Sequence, residues 1–248
     1  MIRSLFHFFI DNFPSIELIA WLFPLSILLS FLALYLAGIC KQKWHWKTGY
    51  TRKLFHFIIF LSAFLYQYFF KLQGVFILGW SVTLVLVYAC IKGNNNVLYE
   101  ALAREKDAPF RTKYIVYSYL ATFFGGVVAN VFFAKYAILG YLITGIADAV
   151  AEPIGTRFGK HQYRVFSFDK TKVSYRSIEG SFAVFIASSF IFYFAFHFTQ
   201  TMFPSTIVIV LIMAFICTLT EAFSPSGFDN MLLQIIGSFI ATIGMWTY

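Results

Sequence analysis

Apolar runs of about twenty residues recur along the whole chain, and this feature restricts its fold more than any other. A helix of about twenty apolar residues crosses the hydrocarbon core of a bilayer with its backbone hydrogen bonds satisfied internally. Only 12% of the 248 residues are charged, against roughly a quarter in soluble globular domains. We therefore expect an all-α polytopic membrane protein, built as a single integral membrane domain over residues 1–248.

The apolar runs predict about eight transmembrane helices. They lie near residues 16–39, 54–70, 74–91, 114–133, 136–156, 178–199, 203–222 and 229–247. No cleavable signal peptide is expected, because Asp11 and Pro14 interrupt the first apolar stretch and no small-residue cleavage site follows. Residues 4–10 are too short to span and are expected to form a short amphipathic helix in the interface.

The positions of Lys and Arg support eight crossings with both termini on the non-cytoplasmic side. All but three of the 19 Lys and Arg residues fall in segments 40–53, 92–113 and 157–177. Basic loops are retained in the cytoplasm, and eight crossings place these three segments there. Seven helices are the alternative, but a seven-helix count that merged or dropped one early segment would scatter the bases over both faces. The net charge of +8 suits anionic lipid headgroups or a nucleotide triphosphate, whereas nucleic-acid binding is not expected of bases spread over membrane loops.

Two carboxylates stand inside an apolar stretch, in the sequence "GIADAVAEPIGTRFGKH" at 145–161. Asp148 and Glu152 are four residues apart and therefore share one face of a helix. An ionisable side chain in a membrane span is costly, so it indicates a functional site. Magnesium is usually held by one or two carboxylates plus substrate phosphates. The alternative interpretation is a buried carboxylate paired with a base such as Arg52 or Arg157.

The segment that follows supplies bases and a helix start. Pro153 is expected to kink or end the fifth helix. Further on, at 157–181, Ser177 or its neighbour is expected to cap the sixth helix, whose N-terminus would point toward the acidic site. The side chains of Lys172 and Arg176 suit phosphate oxygens. "GTRFGKH" is not a P-loop, because its glycines are one residue too close and His replaces Ser or Thr.

A second polar segment, "TEAFSPSGFDN" at 220–230, links the last two predicted helices. Glu221, Asp229 and Asn230 place carboxylate and amide oxygens on the same predicted side of the membrane as Asp148. Taken alone, Asp229 would be a helix N-cap. Because Asp229 is predicted to lie on the same side of the membrane as the other polar segments, we expect it to belong to the functional site.

The stretch "YTRKLFHF" at 50–57 puts Arg52 and His56 on one helical face, with Lys53 adjacent. Its alternative interpretation is an interfacial anchor whose long side chains extend toward water.

The stretch "REKDAP" at 104–109 mixes charges and is expected to be a solvated surface loop, although Arg104 or Asp107 could lie at the edge of the site.

Together these stretches resemble the membrane CTP-dependent lipid kinases, which include phytol kinase, dolichol kinase and a CTP-using diacylglycerol kinase. That superfamily is similar to phosphatidate cytidylyltransferase. The resemblance covers roughly residues 50–235 and rests on "RKLFH" at 52–56, "GIADAVAEPIGTRFGK" at 145–160, "RSIEGS" at 176–181 and "EAFSPSGFDN" at 221–230. The family typically has Gly before the Asp of the second motif, where this chain has Ala147, and Lys in the third, where it has Arg176.

The resemblance implies a magnesium–CTP site on the cytoplasmic face. The implied catalytic residues are Asp148, Glu152 and Glu179, and the implied metal ligands are Asp148, Glu152 and Asp229. The residues implied to contact the nucleotide are Arg52, Lys53, His56, Lys160, Lys172, Arg176, Ser177, Gly180 and Asn230. The implied reaction is phosphoryl transfer from CTP to a membrane lipid alcohol, either an isoprenoid alcohol such as phytol, dolichol or polyprenol, or diacylglycerol.

Two other functions remain open at this point. Phosphatidate cytidylyltransferase also needs CTP, magnesium and a lipid, but that family typically carries a C-terminal Asp-Arg, which this chain lacks. A small transporter would explain charges among many helices. Transporter sites lie near the midplane between internal repeats, whereas here no repeat is seen and the charges gather toward one face.

Overall fold

The computed structural model describes residues 2–166, 174–225 and 227–246. It contains helices α1 to α10, three single-turn or irregular helical segments and one β-hairpin. In chain order these are α1 (Ile2–Asp11), α2 (Ile16–Trp44), α3 (Thr48–Lys92), α4 (Val97–Glu100), a 3₁₀ turn (Glu105–Asp107), α5 (Arg111–Phe133), a 3₁₀ turn (Ala134–Tyr136), α6 (Ala137–Leu142), a π-helical turn (Ile143–Ala147), α7 (Asp148–Phe158), β1 (Gln162–Val165), β2 (Ser174–Ser177), α8 (Ile178–Phe198), α9 (Thr206–Phe223) and α10 (Asp229–Trp246).

The predicted class, an all-α membrane protein, agrees with this structure. Five helical stretches of the described residues are long and apolar enough to cross a membrane, and they are Ile16–Trp44, Thr48–Lys92, Arg111–Phe158, Ile178–Phe198 and Thr206–Phe223. A short antiparallel hairpin, β1–β2, is an addition that the sequence patterns did not predict.

Helix boundaries differ most from the prediction around residues 40–53, which were expected to form a loop. Helix α2 continues to Trp44 and α3 begins at Thr48, so only three residues lie outside helix. Helix α2 ends because His45 adopts a left-handed conformation, with φ of 51°. The break expected near residue 71 is present, since Lys71 has φ of 56° and ψ of −154° inside α3.

Pro153 does not end the fifth predicted helix. Helix α7 runs through it to Phe158 and stops before Gly159. Pro153 has no backbone N–H, so the hydrogen bond to the carbonyl of Ala149 is missing. Contact with α8 stabilises the rest of the helix. The irregular backbone comes earlier, in the π-helical turn at Ile143–Ala147.

The described chain divides into two compact units, residues 1–116 and 117–248. The predicted single domain over residues 1–248 is not tested by this division and stays a prediction. In the first unit α2 packs along α3, and α4 packs against both. The second unit has a core formed by α6, α7, α8, α9 and α10.

The stretch "REKDAP" is exposed at Glu105, Lys106, Ala108 and Pro109, as predicted, but buried residues precede it and Asp107 within it is buried. In the first unit Tyr99, Ala101 and Asp107 are buried. Charged side chains hold this segment in place: Lys41 lies 2.7 Å from a carboxylate oxygen of Glu105. Arg111 reaches both carboxylate oxygens of Glu100, at 3.0 and 2.6 Å, and also the carbonyl of Ala103 at 2.6 Å. Carbonyl acceptors and paired charges therefore order a segment whose composition is typical of a loop.

Glu105 gives this segment a pH-dependent contribution to stability. Partial burial raises the pKa of its carboxyl, but hydrogen bonds from Lys41, its own backbone and Thr48 outweigh this and lower the pKa from 4.5 to about 2. A carboxylate with a depressed folded pKa stabilises the fold above its unfolded pKa. That contribution is lost as the pH falls from 4.5 toward about 2.

We therefore expect Glu105→Gln to flatten the acid dependence of stability in this pH window. Chemical unfolding in detergent, followed by tryptophan fluorescence, measures the slope of stability against pH. The control is Glu17→Gln, at an exposed position in the first turn of α2 where the described residues show no ion pair. Equal slopes for wild type and Glu105→Gln would show that Glu105 does not cause the loss of stability at acid pH.

Helices α6 and α10 approach closely in the second unit because Gly140 faces α10. A Cβ added at Gly140 would clash with Ser238 Oγ and would lie 2.5 Å from the carbonyl oxygen of Gln234. Gly140→Ala should therefore lower the free energy of unfolding by about 1–3 kcal/mol, as overpacking does. The control is Gly79→Ala in α3, where an added Cβ meets nothing within 4 Å. Thermal unfolding in detergent that shows equal midpoints for the two variants would refute this packing account.

Candidate active site

Asp148 is almost completely buried, with 2% of its surface exposed. It follows directly on the π-helical turn Ile143–Ala147 and begins α7. Single π-helical turns inside α-helices frequently occur at functional sites. Ten residues separate Asp148 from the end of α7 at Phe158, which places its Cα about 15 Å along the axis from that end.

Glu152 lies one turn further along α7 and is half-buried. Among the described residues none donates a hydrogen bond to its carboxylate, and none forms an ion pair with it. A half-buried carboxylate without a protein partner is costly to desolvate unless a ligand or solvent supplies the missing interaction. Glu152 is therefore the group of this site best suited to an external cation.

Small residues bring the N-terminus of α8 against α7. A Cβ added at Gly180 would lie 2.9 Å from the carbonyl oxygen of Ala151, and one at Gly155 would lie 2.8 Å from Ser177 Oγ. Ser177 caps α8, as predicted, by accepting a hydrogen bond from the Gly180 amide at 3.1 Å. The positive end of the α8 dipole therefore lies beside the helix that carries both carboxylates, where it favours negative charge.

Glu179 is held by backbone amides and by His161, and the sequence did not predict these contacts. Its carboxylate accepts hydrogen bonds from the amides of Lys160 and His161 at 3.0 and 3.2 Å, and it lies 2.9 Å from His161 Nδ1. These bonds fix the turn between α7 and β1. They also occupy its carboxylate, and the catalytic role implied for Glu179 stays a prediction.

Arg176 is the centre of a buried charge network in the second unit. From β2 its Nε lies 3.0 Å from Glu221 Oε1, its Nη2 lies 3.4 Å from Asp229 Oδ2, and its Nη1 donates to Ser224 Oγ at 3.1 Å. The side chains of Arg176 and Glu221 are 14% and 6% exposed. Arg176 therefore joins the hairpin to α9 and α10, which leaves less of its charge for a phosphate.

Two further residues extend this network and were missed in the sequence. Ser181 in α8 donates a hydrogen bond to Glu221 Oε2 at 3.2 Å, and its Oγ lies 2.6 Å from the hydroxyl of Tyr163 in β1. Burial raises the pKa of the Tyr163 hydroxyl, and its hydrogen bond with Ser181 opposes this rise. The two-residue alternation of β1 could have predicted the inward position of Tyr163, because it directs Tyr163 and Val165 to the same inner face.

Asp229 and Asn230 begin α10 and both have protein contacts. Besides the Arg176 pair, Asp229 accepts a hydrogen bond from the Asn230 amide at 3.1 Å, close to the role of a helix cap. The Asn230 amide group donates to Thr122 Oγ1 at 3.0 Å. One turn on, buried Gln234 donates to the carbonyls of Thr122 and Asn230 at 3.1 and 2.8 Å. These bonds tie α10 to α5.

The structure brings some of the predicted residues together within the second unit. Asp148 and Glu152 on α7 share one part of the second unit with Ser177, Gly180 and Lys160, whose side chain is exposed. No group of three or more His, Cys, Asp or Glu able to hold a metal ion occurs among the described residues. A magnesium site with one or two carboxylates and substrate phosphates does not need such a group.

Four of the predicted nucleotide contacts are not among the described residues of the second unit. Arg52, Lys53 and His56 are half-buried in α3 and belong to the first unit, where the His56 and Phe60 rings lie 4.4 Å apart. Lys172 lies outside the described residues. The nucleotide contacts implied for these four residues stay predictions.

The chain is similar to a known kinase over part of its length. It is 28% identical to the phytol kinase of Synechocystis over 116 residues, which is 46% of each chain. The chain thus matches less than half the length of that curated relative. No family model and no solved structure matches the chain. The similarity supports a phytol kinase-like protein and goes no further toward a substrate or a nucleotide.

Proposed function

We propose that the chain is a CTP-dependent kinase that phosphorylates a membrane lipid alcohol. The observation that carries the proposal is the pair of carboxylates on α7, beside the capped N-terminus of α8. One is buried, and the described residues offer the other no hydrogen bond or ion pair. The similarity to a phytol kinase supports a lipid alcohol as acceptor. The phosphoryl donor is proposed from the motif resemblance, with CTP as co-substrate.

Asp148 and Glu152 are the residues that would hold magnesium. They fit it, because the ion prefers oxygen ligands and takes the rest of its coordination from phosphates and water. When bound, magnesium neutralises part of the triphosphate charge and so favours phosphoryl transfer. Asp229 is a weaker candidate for a metal ligand, since one of its oxygens faces Arg176 and the other accepts the Asn230 amide.

The remaining residues bind and orient the nucleotide in this proposal. The exposed Lys160 side chain and the backbone amides at the start of α8 bind phosphate oxygens, as helix N-termini commonly do. Glu179 positions Lys160 through its amide. Arg176 acts as a positioning residue for the hairpin, with Glu221 holding its guanidinium.

In the reaction, the alcohol oxygen attacks the γ-phosphorus of CTP. A new O–P bond forms, the bond between the γ-phosphorus and the β,γ-bridging oxygen breaks, and CDP leaves with that oxygen. The hydroxyl proton passes to a carboxylate of the α7 pair, which must lie within hydrogen-bond reach of the alcohol. The products are a lipid phosphate, CDP and one proton.

The proposed membrane topology has eight crossings with both termini on the non-cytoplasmic side and the active site on the cytoplasmic face. The 45-residue α3 is about 68 Å long, and a bilayer core is only about 30 Å thick. We therefore propose that α3 crosses twice, with its bend at Lys71. The 48-residue stretch Arg111–Phe158 would likewise cross twice.

Labelled CTP distinguishes this activity from cytidylyl transfer. Purified protein with magnesium and an isoprenoid alcohol, or diacylglycerol, should move label from γ-labelled CTP into the lipid and leave α label in the nucleotide. Parallel reactions with phosphatidate, the acceptor for cytidylyl transfer, test the alternative activity. Appearance of α label in the lipid would refute the kinase and support a cytidylyltransferase, and retention of both labels in the nucleotide with every lipid would refute both.

A further inference from the structure

The β1–β2 hairpin has two faces of different chemistry. Tyr163 and Arg176 are opposite each other and point inward to the buried charge network. The next pair, Arg164 and Tyr175, points outward, and the Tyr175 side chain is 62% exposed. This alternation follows from the two-residue period of a strand. The outward face is thus a cation beside an aromatic ring, and neither side chain has a hydrogen bond, ion pair or ring contact with the described residues.

More exposed residues of the same kind lie near this pair in the sequence. Phe166 follows β1 and is 64% exposed, and Phe158 at the end of α7 is 58% exposed. The guanidinium of Arg157, also exposed, lies 5.4 Å from the centre of the Phe158 ring. We call Arg157, Phe158, Arg164, Phe166 and Tyr175 the outer hairpin surface. Large exposed rings interleaved with arginines are unfavourable in water alone.

Charge and position identify what covers this surface. Arg157 and Arg164 give the outer hairpin surface two exposed positive charges and no acidic residue. The hairpin stands between α7 and α8, and both helices belong to stretches able to cross a membrane. A four-residue strand extends only about 13 Å, so the outer hairpin surface stays near the membrane surface.

We propose that the outer hairpin surface docks on anionic phospholipid headgroups. Phenylalanine and tyrosine rings partition into the interface, and arginines near an anionic surface are attracted to it. Docking would hold β1 and β2 against the bilayer, with the buried Arg176 network on the opposite face of the hairpin. The outer hairpin surface contains none of the residues proposed to contact the nucleotide, so its docking does not depend on the proposed activity.

Spin labelling in vesicles tests the proposal on the full chain. The native cysteines are replaced (C40A, C90A, C217A), and a nitroxide is attached at Tyr175→Cys. The ratio of label collisions with oxygen to collisions with a water-soluble nickel complex is compared in vesicles of phosphatidylcholine alone and of phosphatidylcholine with phosphatidylglycerol. The ratio should rise at least about twofold with the anionic lipid, because bases draw the hairpin to an anionic surface.

Paired charge variants complete the test. Arg157→Gln with Arg164→Gln should abolish the rise. Lys92→Gln with Lys135→Gln, which removes the same charge from exposed positions elsewhere, should leave it intact. Equal ratios in the two vesicle types would overturn the proposal. So would protection of the label by added CTP in phosphatidylcholine vesicles without any effect of phosphatidylglycerol, because the surface would then bind a soluble anion.

Discussion

Asp148→Asn is expected to lower the rate of lipid phosphorylation by about a hundredfold to a thousandfold, the range seen when one preorganised electrostatic group is removed from an active site. The substitution preserves the shape of the buried side chain and removes its charge. The measurement is initial velocity with γ-labelled CTP, magnesium and a lipid alcohol. The control, Asp11→Asn, makes the same chemical change at an exposed position in α1 and should leave the rate unchanged.

Glu152→Gln separates a role in the reaction from a role in folding. Asp148 is buried and has protein interactions, so its replacement can also disturb the fold. Glu152 is half-buried, and the described residues offer it no hydrogen bond or ion pair, so Gln should fold normally. Its rate should still fall at least about tenfold. A normal rate together with a normal melting temperature would remove Glu152 from the proposed site.

Arg176→Met is expected to give the largest loss of stability, about 3–5 kcal/mol of unfolding free energy. The reason is that Glu221, 6% exposed, would keep a buried charge without its cation, and Asp229 would lose the same partner. Denaturant unfolding in detergent measures the effect. The control is Arg164→Met on the outer side of the same hairpin. Because Arg164 is exposed, this substitution should change the unfolding free energy by no more than about 0.5 kcal/mol.

A double-mutant cycle assigns that loss to the ion pair. Replacing both partners, Arg176→Met with Glu221→Gln, should recover much of the stability, because an unpaired buried charge costs more than a missing pair. Additive losses from the two substitutions would show that Arg176 and Glu221 do not stabilise each other. The unfolding free energy of Arg176→Lys should lie between those of wild type and Arg176→Met, since an ammonium group cannot reproduce three directed contacts.

The parts of the fold that the sequence predicted depend on local patterns. The apolar run and the Ser-Ile-Glu-Gly turn placed α8 at 178–199 with its cap near Ser177, and the structure has α8 at Ile178–Phe198 with Ser177 as cap. The spacing of Asp148 and Glu152 likewise put them one turn apart on one helix, as α7 has them. Local hydrogen bonds and periodicity decide both features.

The features that the sequence did not predict depend on partners distant in the chain. Arg176 pairs with Glu221, 45 residues away, and no local pattern distinguishes a base that meets a carboxylate from one that meets a phosphate. The order in residues 93–110 similarly comes from Lys41 and Arg111, which bind its carboxylates and carbonyls. Hydropathy marks residues 104–110 as polar, and only the structure shows that Asp107 among them is buried and that ion pairs hold the segment.

The most direct test of the proposed site is whether Asp148 and Glu152 hold a divalent cation together with the nucleotide. Electron paramagnetic resonance of Mn²⁺, used in place of Mg²⁺, measures the bound fraction for the purified chain with and without CTP. We predict that wild-type protein binds Mn²⁺ tightly only when CTP is present, and that Asp148→Asn and Glu152→Gln each lose this binding. Unchanged CTP-dependent Mn²⁺ binding in both variants would contradict the proposal.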